Sequence, residues 1–465
     1  MTTATSDQGL PIPLRHVLNG SVAAFYGFFL ILTYRELSKI WGYLGFWYTP
    51  PEPSVTALSV AAAGLLGAML PARSWTVVGF AKWVLCFLLF IPTVTIPPQQ
   101  GTLLTDDLLL LETLALVSAV AFIAFLRDGS PFPPIRLSRQ ALWQGVMVCW
   151  ILGNLAIVAV FGGSLSLASL EEVYDQRSST SGLGGAAIIY IMGFMSGAVN
   201  PFLLVIGLAK RRWSLVAMAL AGQVLIYSTL AAKVVLGSTL LTVGTFLAFR
   251  HGRVAFTRIR FAILLFAILG PWITAPRVMM GGLIGALSDL IYFRILVLPG
   301  ALIGIYSEFF LSYPVTKLSH SLIGRAFSTY PYGNESVGQV IGRYVTPTLG
   351  AANNYNANFI AADGIAGFST WGVPVMFLFA AAWLWFASRL VGQGNRQIVC
   401  AMLMPFIASL ADASLFTAIL TNGGAAAALL LYLYRSAEGA GHRNPVLSTP
   451  GSVQSPRPLW WRRNS

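Results

Sequence analysis

Residues 107–126 read Asp107-Leu-Leu-Leu-Leu-Glu112-Thr-Leu-Ala-Leu-Val-Ser-Ala-Val-Ala-Phe-Ile-Ala-Phe-Leu126, with Arg127 immediately after. A helix rises about 1.5 Å per residue, so such a run spans roughly 30 Å, the hydrocarbon thickness of a bilayer. The run has no polar face that water would require. In lipid every backbone N–H and C=O must be satisfied within the segment, which selects helix over open sheet. Comparable runs lie near 18–34, 54–70, 76–96, 141–162, 184–209, 213–230, 233–249, 261–275, 367–388, 397–414 and 417–434. The expectation is an all-α polytopic membrane protein with about twelve transmembrane helices.

Composition agrees with this reading. Hydrophobic residues make up 56% of the 465 positions and charged residues 10%, against about 25% charged in an ordinary soluble domain. The formal charge of +13 would point to nucleic acid if the basic residues clustered on a soluble face, but they sit between apolar runs. No nucleic-acid partner is expected. With the N-terminus inside, nineteen of the 29 Lys and Arg fall on cytoplasmic loops and tails, the bias of the positive-inside rule. Both termini are therefore expected in the cytoplasm. Residues 1–435 read as one membrane domain, and 436–465 as a disordered basic tail ending Leu-Trp-Trp-Arg-Arg-Asn-Ser. Cys86, Cys149 and Cys400 are far apart within apolar runs, and there is no Gly-rich phosphate loop, HExxH or His/Cys cluster. Nothing predicts a bound cofactor or metal.

The interval 276–366 stands apart as one large outer (periplasmic) loop of 91 residues. Two apolar stretches inside it, 279–293 and 295–314, must by parity both cross or both not cross. They are expected as re-entrant or interfacial helices packed on protein. Long loops of this kind are usually functional. This one holds seven of the sixteen tyrosines, Tyr292, Tyr306, Tyr313, Tyr330, Tyr332, Tyr344 and Tyr355, and an Asn-rich stretch of Asn353, Asn354, Asn356 and Asn358. Flat apolar rings edged by hydroxyls, and amides with paired donors and acceptors, suit sugars. An interfacial aromatic belt with turn-forming asparagines has the same composition. From this set Tyr292, Tyr306, Asn356 and Asn358 are the expected sugar contacts.

The loop's basic residues are Arg277, Arg294, Lys317, Arg325 and Arg343. Guanidinium forks bind phosphate oxygens bidentately, so Arg294, Arg325 and Arg343 are expected to bind a diphosphate. Arg294 stands alone in an apolar run, where a charge costs about 2.5–3.5 kcal/mol at mid-bilayer. Either a ligand or snorkelling to headgroups offsets that cost. Asp289, Glu308, Glu335, Asp363 and His320 are the candidate proton acceptors. Asp363 ranks first because it lies between the Asn run and the returning helix, with Glu335 next; a helix cap is the other role open to Asp363. Glu112 and Asp412, toward the outer ends of their helices, are intramembrane acids of a kind that enzymes and transporters share.

In three stretches the chain resembles the O-antigen or oligosaccharide repeat-unit polymerases of the Wzy type. They are Arg294-Ile-Leu-Val-Leu-Pro-Gly running on to Tyr306-Ser-Glu-Phe-Phe310; Ser336-Val-Gly-Gln-Val-Ile-Gly342 leading to Asn356-Ala-Asn-Phe-Ile-Ala-Ala-Asp363 and Gly364-Ile-Ala-Gly-Phe-Ser-Thr-Trp-Gly372; and Ser409-Leu-Ala-Asp-Ala-Ser-Leu-Phe-Thr417 ending at Gly423-Gly424. The resemblance implies a metal-independent glycosyltransferase of the C type in the bacterial inner membrane. Its substrates would be undecaprenyl-diphosphate-linked oligosaccharides, joined at the periplasmic face by passing the growing chain onto the newest unit. A chain-length regulator and a flippase are the partners it implies. The alternatives are an O-antigen ligase of the same fold, which relies on an outer-loop histidine for which His320 is the candidate, and a lipid-linked oligosaccharide flippase or other transporter.

Overall fold

The structure is a computed structural model that describes residues 11–440 apart from 73–74, 166–184, 231–232, 250–255, 276–284, 286–287, 322–323, 349–353 and 393. Arg277, Asn353 and tail residues 441–465 lie outside the described residues. The described chain is helical, with α1 Ile12–Trp41, α2 Pro53–Ala68, α3 Val77–Gln99, α4 Thr105–Phe125, α5 Arg139–Phe161, α6 Ala187–Lys210 and α7 Trp213–Leu230. It continues with α8 Lys233–Phe249, α9 Phe256–Ile273, α10 Asp289–Ser312, α11 Val337–Val345, α12 Gly372–Val391, α13 Arg396–Ser409 and α14 Gly424–Ala440.

Seven helical stretches among the described residues are long and apolar enough to cross a membrane: Ile12–Leu44, Val77–Gln99, Thr105–Phe125, Arg139–Ser164, Ala187–Lys210, Asp289–Ser312 and Ile360–Val391. The protein is therefore a polytopic membrane protein. Among the described residues the apolar runs fall largely on helices, with breaks at 410–414 and 422–423. Large apolar side chains such as Phe125, Leu155, Leu240 and Leu378 stay exposed on these helices, as a lipid-facing surface requires.

Three expectations need correction. The expected stretches 279–293 and 295–314 are not parted at Arg294: Asp289–Ser312 is one helix of spanning length, and 279–284 and 286–287 lie outside the described residues. Its first nine residues are π-helical, and this wider turn closes through the Leu298 N–H donating to the Phe293 carbonyl. Pro299 follows at the start of the α-helical part, where its missing N–H does least harm. The run 397–414 does not reach Asp412 as helix: α13 stops at Ser409, and Leu410–Ser414 form a turn. Finally, α14 continues through Ser436–Ala440 rather than giving way to the tail. There Glu438 meets Lys210 at 2.8 Å and Arg139 at 3.9 Å.

Contacts set the direction of the helices. Tyr26 Oη donates to the Phe87 carbonyl at 2.8 Å, and Thr49 N to the Gln99 carbonyl at 2.8 Å, so α1 and α3 run in parallel. Arg260 Nε donates to Asn19 Oδ1 at 2.8 Å while Gly270 packs on Thr33, which aligns α9 with α1. Gly300 rests on Pro92 and Gly304 on Gln100, which aligns α10 with α3. The C-terminal ends of all four helices thus share one face, where Tyr355 Oη donates to the Leu44 carbonyl at 2.9 Å and joins the segment 313–359 to them.

On the opposite face an extended segment, 126–138, is strapped across helix ends. Gly129 N donates to Ser388 Oγ, Phe132 N to the Arg389 carbonyl and Tyr432 Oη to the Pro133 carbonyl. Arg389 lies over the rings of Phe132 and Trp385. Arg127, Arg136, Arg139, Lys210, Arg211, Arg212, Arg396 and Arg435 collect at this second face or at the helix ends that reach it.

One close approach positions the site. After the π-helix Ile360–Ile365 the chain turns sharply at Ser369, whose φ of 56° is left-handed, and α12 starts against the preceding segment. A Cβ on Gly372 would lie 1.9 Å from the Gly364 carbonyl oxygen. Gly372→Val is therefore expected to push backbone against backbone and to destabilise the protein by about 1–3 kcal/mol or more. Thermal unfolding of the purified variant in detergent checks this; an unchanged midpoint would contradict it.

Candidate functional site

A cavity of about 1680 Å³ opens among α10, the segment 313–359 and the turn after α13. Leu88, Leu241, Leu290, Leu298 and Met404 make an apolar floor at helix depth. In the same lining are Arg294, which lies on α10 between Leu290 and Leu298, Arg325, Glu335 and Asp412, with Tyr330, Asn334, Gln339, Asn354 and Asn356. Ser409, Ser414 and Thr417 add hydroxyls from the turn.

Unusual backbone accompanies this arrangement. Leu88, Arg294 and Thr417 come from the π-helical segments Cys86–Phe90, Asp289–Val297 and Thr417–Thr421, and Asp363 sits in a fourth, Ile360–Ile365. Such turns are uncommon in helices and recur at functional sites, because the extra residue re-aims the neighbouring side chains. Lys317 and Leu318 both take left-handed φ, 50° and 64°, at about 1–3 kcal/mol each for non-glycine residues. The strained turn is held by Thr316 N and Lys317 N donating to the carbonyls of Ala366 and Gly367 at 2.7 and 3.1 Å.

The expected site residues divide into two groups. Arg294, Arg325, Glu335, Tyr306 and Asn356 line the cavity together. Arg294 is half exposed, with Nε 3.9 Å from Asp289 Oδ2. Tyr306 Oη donates to the Tyr355 carbonyl at 2.8 Å, so its proton is already committed within the protein. Arg343 lies outside the lining and pairs with Glu335. The expected sugar contacts Tyr292 and Asn358 are also corrected. Tyr292 is buried and donates to the Phe266 carbonyl. Asn358 is fully buried; its Nδ2 donates to the Pro299 carbonyl and its Oδ1 accepts from Ile360 N and Ala361 N, the role of a helix cap.

Asp363, the first-ranked proton acceptor, is fully buried and outside the lining. Oδ2 accepts from Leu415 N at 2.5 Å, and Oδ1 is 3.0 Å from His320 Nε2. It cannot touch a substrate hydroxyl. The role left open for it, a cap, is the one its geometry matches, and it ties the turn 410–414 to the π-helix that carries it.

His320 lines the cavity, but both ring nitrogens are engaged internally. Nε2–H donates to Asp363, and Nδ1 is 3.0 Å from Thr316 Oγ1, which is itself 3.0 Å from the Ala366 carbonyl. With a neutral ring, Thr316 donates to Nδ1. With a charged ring, Nδ1–H donates to Thr316, and Thr316 donates to Ala366. Either state turns only the carbon edge of the imidazole toward the cavity.

The residue underrated from sequence is Asp412. It is exposed to the cavity, in the same lining as the Arg294 guanidinium. Its isolation among alanines and serines was the available signal. Tyr330 is the second such residue: its Oη is buried with no hydrogen-bond partner among the described residues. Most other tyrosines of the segment are structural. Tyr313 and Tyr344 pack on Phe309, and Tyr332 Oη donates to the Pro314 carbonyl. Comparison with family models, with curated proteins and with solved structures yields no match to this chain.

Proposed function

We propose that this protein is a membrane glycosyltransferase that polymerises undecaprenyl-diphosphate-linked oligosaccharide repeat units, transferring the growing chain onto the newest unit. The observation that carries this reading is one cavity joining two arginines, Arg294 and Arg325, to amide and tyrosine groups and to an apolar floor among membrane helices. A substrate with a diphosphate, sugars and a long hydrocarbon chain matches those three surfaces in turn. In this reading all twelve apolar helical runs cross the bacterial inner membrane. The second face, with its arginines, is cytoplasmic along with both termini, and the cavity opens to the periplasm. Ile273 and Ser312 then end at the same periplasmic side.

Arg294 and Arg325 neutralise the diphosphate as the glycosidic bond is exchanged, acting where charge develops and water is scarce. Asn356, Gln339 and Tyr330 orient the sugars, and hydrocarbon lies along Leu88, Leu241 and Leu298. The ligase reading needs a histidine that reaches substrate, whereas His320 turns both nitrogens inward to Thr316 and Asp363. The test compares surface glycan and lipid-linked oligosaccharide in cells with and without the protein. Loss of long chains, with single repeat units still reaching the outer face, is expected. Long chains left on the carrier would make it a ligase, and units trapped at the inner leaflet a flippase.

A further inference from the structure

We infer that Asp412 is the catalytic base of this site, the carboxylate that takes the proton from the attacking sugar hydroxyl while Arg294 holds the departing diphosphate. The inference rests on the glycosyltransferase reading and adds to it the residue that moves the proton.

Geometry leaves few competitors. A base must reach substrate within hydrogen-bond distance. Asp363 is sealed off, with its oxygens on Leu415 N and His320, and His320 has no free nitrogen. Glu335 lines the rim, but its carboxylate is held by Arg343. Asp412 is the remaining carboxylate of the lining, and no ion-pair contact to it is found among the described residues.

Its mounting is rigid. The turn that carries it is closed by Asp412 N and Ala413 N donating to the Ser409 carbonyl at 3.1 and 2.8 Å. Asp363 then fixes the next residue but two, Leu415, through the 2.5 Å bond to its N–H. The charged and titratable groups around Asp412 are Arg294 across the cavity, Arg325, Glu335 and Tyr330 toward the rim, and His320 with Asp363 behind the turn. The Arg294 charge, in the same lining, favours the Asp412 carboxylate.

The step balances as follows. The acceptor hydroxyl oxygen forms a bond to the anomeric carbon as the bond from that carbon to the diphosphate oxygen breaks. The diphosphate leaves with the electron pair. The hydroxyl proton passes to the Asp412 carboxylate, which later releases it to water. A diphosphate beside Arg294 offsets the positive charge that had favoured the Asp412 carboxylate, so donor binding strengthens the base that the step requires.

The test uses full-length protein in nanodiscs with a synthetic polyprenyl-diphosphate oligosaccharide as probe, following chain elongation across about pH 5 to 8 together with donor retention. In the wild type, elongation should fall on the acid side of that range, as the Asp412 carboxylate takes up a proton. Asp412→Asn should lower turnover about 100-fold or more, lose that acid limb and bind the donor as tightly as wild type. Asp412→Glu should retain activity with the limb displaced, and it carries the test where the asparagine variant does not fold. Turnover of Asp412→Asn within a few-fold of wild type, or an acid limb that neither substitution moves, overturns the assignment while the polymerase reading stands. A wild-type protein that elongates nothing, in cells where lipid-linked units collect at the inner leaflet, overturns the reading itself and this assignment with it.

Discussion

Arg294→Ala is expected to reduce chain elongation about 100- to 1000-fold, the range seen when one preorganised donor to developing negative charge is removed. The loss should appear mainly in turnover, because Arg325 remains in the same cavity to hold the ground-state diphosphate. Stability should change little. Arg294 is half exposed, with the Asp289 carboxylate 3.9 Å from its Nε, and exposed pairs of this kind contribute roughly 0–1 kcal/mol. Arg294→Lys should recover part of the activity: it restores the charge but not the planar fork that matches two phosphate oxygens. Gel analysis of surface polymer in complemented cells, with membrane abundance measured in parallel, checks the prediction. Normal chain length and amount from normally abundant Arg294→Ala would remove this arginine from the mechanism.

Asp363→Ala should give the largest loss of stability of any single substitution at the site, about 3–5 kcal/mol if the pair it breaks behaves as buried ion pairs do when one partner is removed. The carboxylate has no solvent exposure and holds Leu415 N and His320 at once. Its removal leaves a buried N–H and an imidazole without their acceptor. Asp363→Asn should cost less, since one oxygen remains to accept while the Nδ2 group faces a donor. Both variants should also lose activity, because the turn bearing Asp412 is anchored through Leu415. A thermal unfolding series in detergent separates the variants; equal midpoints for wild type and Asp363→Ala would mean that this contact does not support the fold. Restored stability without restored activity in Asp363→Asn would locate the functional cost in the turn.

Much of the site's neighbourhood was legible from residue types. A lone arginine in an apolar run and a dense Tyr and Asn segment led to Arg294, Arg325, Glu335, Tyr306 and Asn356, all of which line the cavity. Individual roles were less legible. Asn358 and Tyr292 carry the same chemistry as their neighbours, but their polar groups are taken by the carbonyls of Pro299 and Phe266, and composition does not record which partners a fold supplies. Asp363 was prominent in the sequence for its place beside the Asn run, and the fold turns it inward. Asp412, forty-nine residues further on, reaches the cavity because α13 ends three residues before it.

The sequence by itself determined that this chain lives in lipid as helices, because apolar runs of about 20 residues leave no other way to satisfy the backbone. It also located most of those helices to within a few residues. Only the tertiary structure decided that 289–312 is one continuous helix across Arg294 and Pro299, with Arg294 inside its π-helical start and Pro299 just after it. It alone decided which polar groups face the cavity. A helix surrounded by lipid and protein is apolar on all sides, so hydropathy carries no signal of which face meets a neighbour. That choice belongs to packing between residues far apart in the chain, as when Asp363 meets both His320 and Leu415.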